Sequence, residues 1–149
     1  MGASYTAGPV DVVAYASDMD INAAGTDTRK IRGLGGAYAV NPGLKLYLGG
    51  MTRSHQVSTQ KNRVVTAGLN WNLTEQLVLT GGYTDDHQTG SVNGHRKVSF
   101  VGLNYFLSKR TDVYTAVDRN EITGTYAVPT FMASRGSQTG LSFGLRHRF

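Results

Sequence analysis

The chain has 149 residues, of which 40% are hydrophobic and none is cysteine, and its formal net charge is +5. This length corresponds to one domain, and without cysteine the chain can form neither disulfides nor thiolate metal sites. Its 15 lysine and arginine residues are spread singly and form no patch or stripe, so we expect no nucleic-acid partner. No apolar run approaches the roughly 20 residues of a membrane-spanning helix.

The first third of the chain predicts three strands. Gly2 to Ala7 resembles the end of a longer strand and is followed by a tight turn at Gly8-Pro9. Val10 to Asp20 is the first long strand, and its facing stays open because both of its faces carry apolar residues. A polar loop from Ile21 to Asp27 leads to the next strand, from Thr28 to Val40.

The middle third predicts three further strands and contains the clearest alternation of the chain. Val65, Leu69 and Trp71 share one parity, while Thr66 and Asn70 share the other, which is the period of a strand with one apolar face. In chain order the elements are the turn Asn41 to Gly43, the strand Leu44 to Gln56, the loop Val57 to Asn62, the strand Arg63 to Leu73, the turn Thr74 to Gln76 and the strand Leu77 to Asp86.

The last third predicts three more strands and the longest connection. Two features stay open: Phe100 and Phe106 break the alternation of their strand, and the facing of the strand from Val113 to Ile122 is undecided. In chain order the elements are the loop His87 to Gly94, the strand His95 to Leu107, the turn Ser108 to Asp112, the strand Val113 to Ile122, the loop Thr123 to Gln138 and the strand Thr139 to Phe149.

Short turns and longer polar loops alternate along the whole chain, which is typical of outer-membrane barrels with periplasmic turns and extracellular loops. We therefore predict an all-β fold, an antiparallel up-and-down transmembrane β-barrel with eight long strands and a short leading fragment. Residues 1–149 form one such domain or half of a larger barrel. Met1 to Gly8 lacks the features of a secretory signal, so we expect a mature, truncated or engineered form.

A soluble barrel with its apolar residues inside is the alternative. Aromatic residues near the short turns favour the membrane barrel, because aromatic residues form a girdle at the membrane interface. These residues are Tyr38, Trp71, Tyr105 and Phe149. Glycine and alanine on the opposite parity would fill a small barrel poorly and favour a wide, wet lumen, although such residues also permit sharp curvature.

Three stretches resemble the general-diffusion porins of Gram-negative outer membranes: Gly8-Pro9-Val10, Leu103 to Tyr114 and Gly144 to Phe149. The resemblance covers the whole chain and implies the C-terminal half of such a porin. Family members are 16-stranded trimers that pass small hydrophilic solutes. The resemblance also implies that Phe149, preceded by Arg148, is read by the barrel-assembly machinery. The constriction loop of the family lies in the N-terminal half, and nothing in this sequence matches it.

The parity of each strand assigns candidate residues to two environments. We predict that one set lines a lumen: Lys45, Tyr47, Arg53, Asn70, Asn72, Arg96, Asn104, Arg146 and Arg148. We predict that the other set faces lipid or detergent or forms the girdle: Leu46, Leu69, Trp71, Tyr83, Tyr105, Leu141, Phe143 and Phe149.

The charged residues leave two questions open. The lumen cations would favour anions unless they pair with Asp86, Asp118 or Glu121. One hairpin carries Asp85, Asp86, His87 and His95, an arrangement that could support acid–base chemistry or a metal between the histidines. Neither a nucleophile nor a third partner is evident, so we expect no enzymatic activity, no metal and no cofactor.

The predicted function is a porin-like channel in the outer membrane for passive diffusion of small hydrophilic solutes, with a possible preference for anions. The alternative is a small structural or engineered barrel with little or no conductance. The chain could close alone, assemble as a homo-oligomer, or be half of a longer protein.

Overall fold

A computed structural model describes residues 1–20 and 27–149 of the chain. In this part, nine antiparallel strands form one sheet, and their spatial order is their order along the chain. The predicted loop at residues 21–27 lies outside the described residues except for Asp27. No described helix is long and apolar enough to cross a membrane. The strands are β1 Gly2–Ala7, β2 Val10–Asp20, β3 Thr28–Asn41, β4 Leu44–His55, β5 Lys61–Asn72, β6 Leu77–Thr89, β7 Gly94–Phe106, β8 Thr111–Ile122 and β9 Gly136–His147.

The all-β, up-and-down fold is confirmed, but two predicted loops were too long. β6 and β7 stay paired as far as Gln88 and Gly94, so the connection between them is residues 90–93 and not 87–94. β9 begins at Gly136, which pairs with Ile122. Polar side chains suggested loops here, yet strand pairing continues because it satisfies backbone N–H and C=O groups whatever the side chains are. At the other end, β9 stops at His147, so Arg148 and Phe149 lie beyond it.

Three of the short turns are stabilised in the same way: a side-chain oxygen accepts hydrogen bonds from backbone N–H groups of the turn. Asn41 accepts the Gly43 N–H at 2.8 Å. Thr74 accepts the Gln76 and Leu77 N–H groups at 3.2 and 3.0 Å. Ser108 accepts the Arg110 and Thr111 N–H groups at 3.2 and 3.1 Å. Asn, Thr and Ser at these positions therefore fix where the chain reverses.

The strand register sorts the side chains onto two faces. Cross-strand partners point to the same side of a sheet, and a row such as Leu48, Ala67, Tyr83 and Ser99 runs across four strands. We call the face that carries Leu48 the apolar face. The opposite face, called the polar face, carries mostly small and polar residues, as in the row Tyr47, Gly68, Gly82 and Phe100.

The register also decides the facings that the sequence left open. Val12 pairs with Gly36 and Tyr5, which places Val10, Val12, Ala14 and Ala16 on the apolar face. Val113 pairs with Tyr105 and Leu145, which places Val113, Thr115 and Val117 there as well. Phe100 and Phe106 lie on the polar face.

Close approach explains two of the glycines on the polar face. A Cβ on Gly33 would collide with the Tyr15 ring, and a Cβ on Gly82 would meet the Phe100 ring at 2.5 Å. The Tyr15 hydroxyl continues across Gly33 to the Met51 sulfur at 3.3 Å. Glycine here gives room for an aromatic ring from the neighbouring strand, a reason that the sequence alone did not suggest.

The sheet has two open edges, since β1 and β9 stand at opposite ends of the strand order. Its apolar face is not covered by any described residue: Phe143 is 84% and Leu141 73% exposed. The few buried apolar residues among those described form a small cluster of Ile122, Tyr126 and Met132 on the polar face, where the β8–β9 connection packs.

Candidate functional site

The residues predicted to line a lumen share the polar face of the sheet. The register places eight of the nine there, on β4, β5, β7 and β9. They lie at several heights along the strands. The ninth, Arg148, lies beyond the end of β9, although its N–H still reaches the Arg110 carbonyl at 2.9 Å.

Two of the predicted lumen cations, Lys45 and Arg146, lie near the short turns and are paired with acids. Lys45 Nζ lies 2.7 Å from Asp11 Oδ2, and Arg146 contacts both carboxylate oxygens of Asp112 at 2.9 Å. Asp112 is nearly buried, so this bidentate pair is the better shielded of the two. Tyr47 accepts a hydrogen bond from Asn70 at 3.2 Å in the same region.

The partners proposed for these cations from the sequence were wrong. Asp86 accepts hydrogen bonds from Asn62 and Tyr126, and Asp118 accepts one from Asn120. Glu121 lies opposite Lys97 in the β7–β8 strand register, which places it on the apolar face. The acids that do pair come from the adjacent turn regions, because the register brings those rows together.

A second group of cations lies on the polar face near the long loops. We define the rim cluster as Arg53, Asn62, Asp86, Arg96, Asn120 and Tyr126. Its centre is dry, since Asn62 is 2% and Tyr126 9% exposed. Arg96 donates to the Asn120 oxygen at 3.4 Å. Neither Arg53 nor Arg96 has a salt bridge to any described residue.

Arg53 and Arg96 each have a side-chain N–H group without an acceptor among the described residues. The Nε atoms of Arg53 and Arg96 are buried without a partner among the described residues, as is that of Arg29 on the same face. Asp86 lies opposite Arg96 in the β6–β7 register, but its two oxygens accept hydrogen bonds from Asn62 and Tyr126, at 2.8 and 2.7 Å. The charge of these two guanidinium groups is therefore not met by a carboxylate of the described residues.

The connection between β8 and β9 folds back over this cluster, a feature that the sequence analysis missed. Tyr126 and Met132 pack on Ile122, and the Phe131 ring lies 5.6 Å from the Arg96 guanidinium. Arg135 donates to the Gly124 carbonyl and closes the segment on itself. Apolar residues in a long polar loop were the available signal, because such residues need a surface to pack against.

Tyr126 joins the connection to the strands through its phenol. Burial and the hydrogen bond to Asp86 raise the pKa of Tyr126 to about 12. Because an undocked tyrosine ionises near pH 10, docking stability is complete below pH 10 and falls between about pH 10 and 12. We expect the 295 nm titration difference between wild type and Tyr126→Phe to have its midpoint near 12. A midpoint near 10 would mean that this phenol is in water.

Three of the four acidic and histidine residues of the β6–β7 hairpin lie together, and the fourth, Asp86, lies on the other face. Asp85, His87 and His95 lie on the apolar face, whereas Asp86 lies on the polar face. The His87 and His95 rings are stacked with centroids 4.0 Å apart, and His95 Nδ1 is 2.8 Å from Asp85. No group of three or more potential metal ligands occurs in the described part of the chain.

The residues predicted to face lipid lie on the apolar face, with Phe149 beyond the last strand. Three girdle residues flank the short turns: Tyr38 pairs with Leu46, Trp71 with Leu44 and Tyr105 with Leu77. Tyr105 also donates to the Gln76 side chain at 3.0 Å. An apolar ring with its polar tip at the rim suits a membrane interface.

The sequence matches the model of a family described as Gram-negative porin over residues 1–125. No curated protein matches it at a significant level.

Solved structures resemble the fold. An anion-selective porin from Comamonas acidovorans superposes with a TM-score of 0.81 at 20% identity, over 99% of this chain and 48% of that chain. OmpT, an in-vitro folded outer membrane protein of Vibrio cholerae, superposes with a TM-score of 0.73 at 13% identity, over 98% of this chain and 53% of that one. The chain thus spans about half the length of the solved proteins it matches.

Proposed function

The chain belongs to the Gram-negative porin family, and from this premise we propose that it forms part of the wall of a passive, anion-preferring channel for small hydrophilic solutes. Family membership places the protein in the outer membrane of a Gram-negative bacterium. The eight long strands contain 11–14 residues, which exceeds the 9–11 that a tilted spanning strand needs.

The main support for the proposal is that the sheet has one apolar face and one polar face. An uncovered apolar face with residues as exposed as Phe143 is stable against hydrocarbon and costly in water. We therefore assign the apolar face to lipid and the polar face to a water-filled lumen. The lumen residues are those predicted from parity on β4, β5, β7 and β9, and the lipid residues include Leu46, Leu69 and Leu141.

The proposed anion preference rests on the fact that some cations of the polar face have acidic partners and others do not. The turn-side cations Lys45 and Arg146 are neutralised by Asp11 and Asp112. Arg53 and Arg96 keep their charge and face the lumen beside the β8–β9 connection. Unpaired arginines around a pore favour anions. The porin from Comamonas acidovorans is named as anion-selective, which is compatible with this assignment.

The open edges determine what else the channel requires. Unpaired strand edges are not tolerated in the hydrocarbon core, so the free edges of β1 and β9 must each pair with a strand. We propose that additional strands of the same protein, or a second copy, complete the barrel, and that the barrel-assembly machinery reads the end of the chain at Phe149. The alternative, a small barrel with little conductance, would need β1 to pair with β9.

Planar-bilayer recording of the protein purified from outer membranes tests the proposal. Stable conductance steps with a reversal potential on the anion side in a KCl gradient are expected. A folded, heat-modifiable protein that never conducts would contradict the channel and favour the alternative.

A further inference from the structure

Two of the four histidines of the chain lie face to face at the loop end of β6 and β7. His87 and His95 are direct cross-strand partners. Their rings are stacked, with centroids 4.0 Å apart and an angle of 5° between the planes. His87 lies two residues before the end of β6, and His95 is the second residue of β7. Both residues are only partly buried, so an ion in water can reach them.

Asp85 determines which nitrogen of His95 is free. The Asp85 carboxylate lies 2.8 Å from His95 Nδ1. An ionised carboxylate only accepts hydrogen bonds, so Nδ1 carries the proton and Nε2 keeps its lone pair. The ring nitrogens of His87 have no hydrogen-bond partner among the described residues. A histidine that donates one ring N–H to a carboxylate and keeps the other nitrogen free has the arrangement of a metal ligand.

The spacing of the two side chains suits a single ion. Residues directly opposite each other on antiparallel strands have Cβ atoms about 4.5–5.5 Å apart, and a zinc ion lies about 2.0–2.1 Å from each histidine nitrogen that binds it. Parallel rings do not direct their lone pairs at one point, so binding requires a rotation about χ2 of at least one ring. This torsion is broad for histidine, and the free His87 ring loses no hydrogen bond when it rotates.

We propose that His87 and His95 together bind a divalent late transition-metal ion such as zinc or copper, with Asp85 as the positioning residue. Imidazole nitrogen is a preferred ligand of these ions. The sequence led to the expectation of no metal because a third partner was missing, and the described residues supply no third ligand. Water completes the coordination, so the ion exchanges with solution, in contrast to structural zinc sites with four protein ligands.

The charges around the pair are balanced. Arg63 lies opposite His87 in the β5–β6 register. Lys97 lies opposite Asp85, and Glu121 lies opposite Lys97 on its other side. These two cations and two carboxylates sum to zero, so the surroundings do not exclude a positive ion. Arg63 is the neighbour that repels such an ion most directly, and its removal should therefore favour binding.

The test is isothermal titration calorimetry with zinc chloride on the chelator-treated protein purified from outer membranes. Asp85→Asn should weaken zinc binding about tenfold, because the orienting partner of a ligating histidine is lost. His87→Gln and His95→Gln each remove a ligand and should weaken binding further, by roughly a hundredfold. Arg63→Gln should tighten binding about threefold, because one screened like charge is removed.

The other two histidines of the chain provide matched controls. His55 lies opposite Arg29 on β3, and the His147 ring contacts the Thr111 hydroxyl at the opposite rim, at 2.8 Å. Glutamine at either position should leave the zinc affinity unchanged. Heat-modifiable migration verifies that each variant is folded. Electron paramagnetic resonance with copper chloride counts the bound nitrogens, and we expect two in the wild type and one after either histidine of the pair is replaced.

Two outcomes would overturn the inference. If the double variant His87→Gln, His95→Gln binds zinc as tightly as the wild type, the metal does not bind at this pair. If the copper spectrum of the wild type shows a single bound nitrogen, the two rings do not share one ion. Neither measurement depends on which face of the sheet meets lipid or on conductance, so the metal site and the channel are tested independently.

Discussion

The double variant Arg53→Glu, Arg96→Glu should convert an anion-preferring channel into a cation-preferring one. Both side chains lie on the polar face without a salt bridge to any described residue, so their charge is available to permeating ions. The substitution replaces two positive charges with two negative ones. The reversal potential in a KCl gradient should change sign, and more strongly at 0.1 M than at 1 M salt, because the screening length falls from about 10 Å to about 3 Å.

A neighbouring residue provides the control for this result. Lys97 follows Arg96 directly in β7 and points to the apolar face. Lys97→Glu changes the charge at the same height by the same amount per site, yet should leave the reversal potential unchanged. If the Arg96 and Lys97 substitutions change the reversal potential equally, the face of the sheet does not matter for ion selectivity. If neither changes it, the rim cluster does not contact the permeating ions.

Replacing Phe143 with arginine should strongly impair the folded barrel. Phe143 is 84% exposed in the middle of the apolar stretch of β9, where we assign hydrocarbon. Arginine on the lipid face near the bilayer midplane costs about 2–4 kcal/mol. The folded fraction, measured by heat-modifiable migration during a urea titration in lipid vesicles, should therefore fall at lower urea than in wild type.

Ser142 is the matched control for this substitution. It precedes Phe143 in β9 and lies on the polar face beside Ala116, so Ser142→Arg should place its charge in water at a cost under about 1 kcal/mol. If the two variants unfold at the same urea concentration, the sheet does not separate lipid from water.

Local signals in the sequence were enough to predict most of the fold. Period-two alternation fixes the facing within a strand, and turn residues such as Asn41, Thr74 and Ser108 mark reversals by hydrogen bonds to their own neighbours. Alternation failed for β2 and β8, where both faces carry apolar residues. In these two strands, the side of the sheet to which each side chain points is decided by its cross-strand partners, which only the register gives.

The candidate site was only partly predictable, because its contacts join distant parts of the chain. Lys45 on β4 reaches Asp11 on β2 diagonally across β3, where Ala39 lies opposite Lys45 and Ala37 lies opposite Asp11. Its partner could not be chosen without the register. The docking of Tyr126 on Asp86 spans 40 residues and belongs to a connection without periodicity.

A single-cysteine scan of residues 65–71 tests the central claim most directly. The chain contains no cysteine, and β5 is far from both edges of the sheet. In lipid vesicles, a membrane-impermeant maleimide should label cysteines at 66, 68 and 70 and leave those at 65, 67, 69 and 71 unreacted. Uniform labelling, or labelling of the odd positions instead, would contradict the assignment of one face to lipid and the other to water.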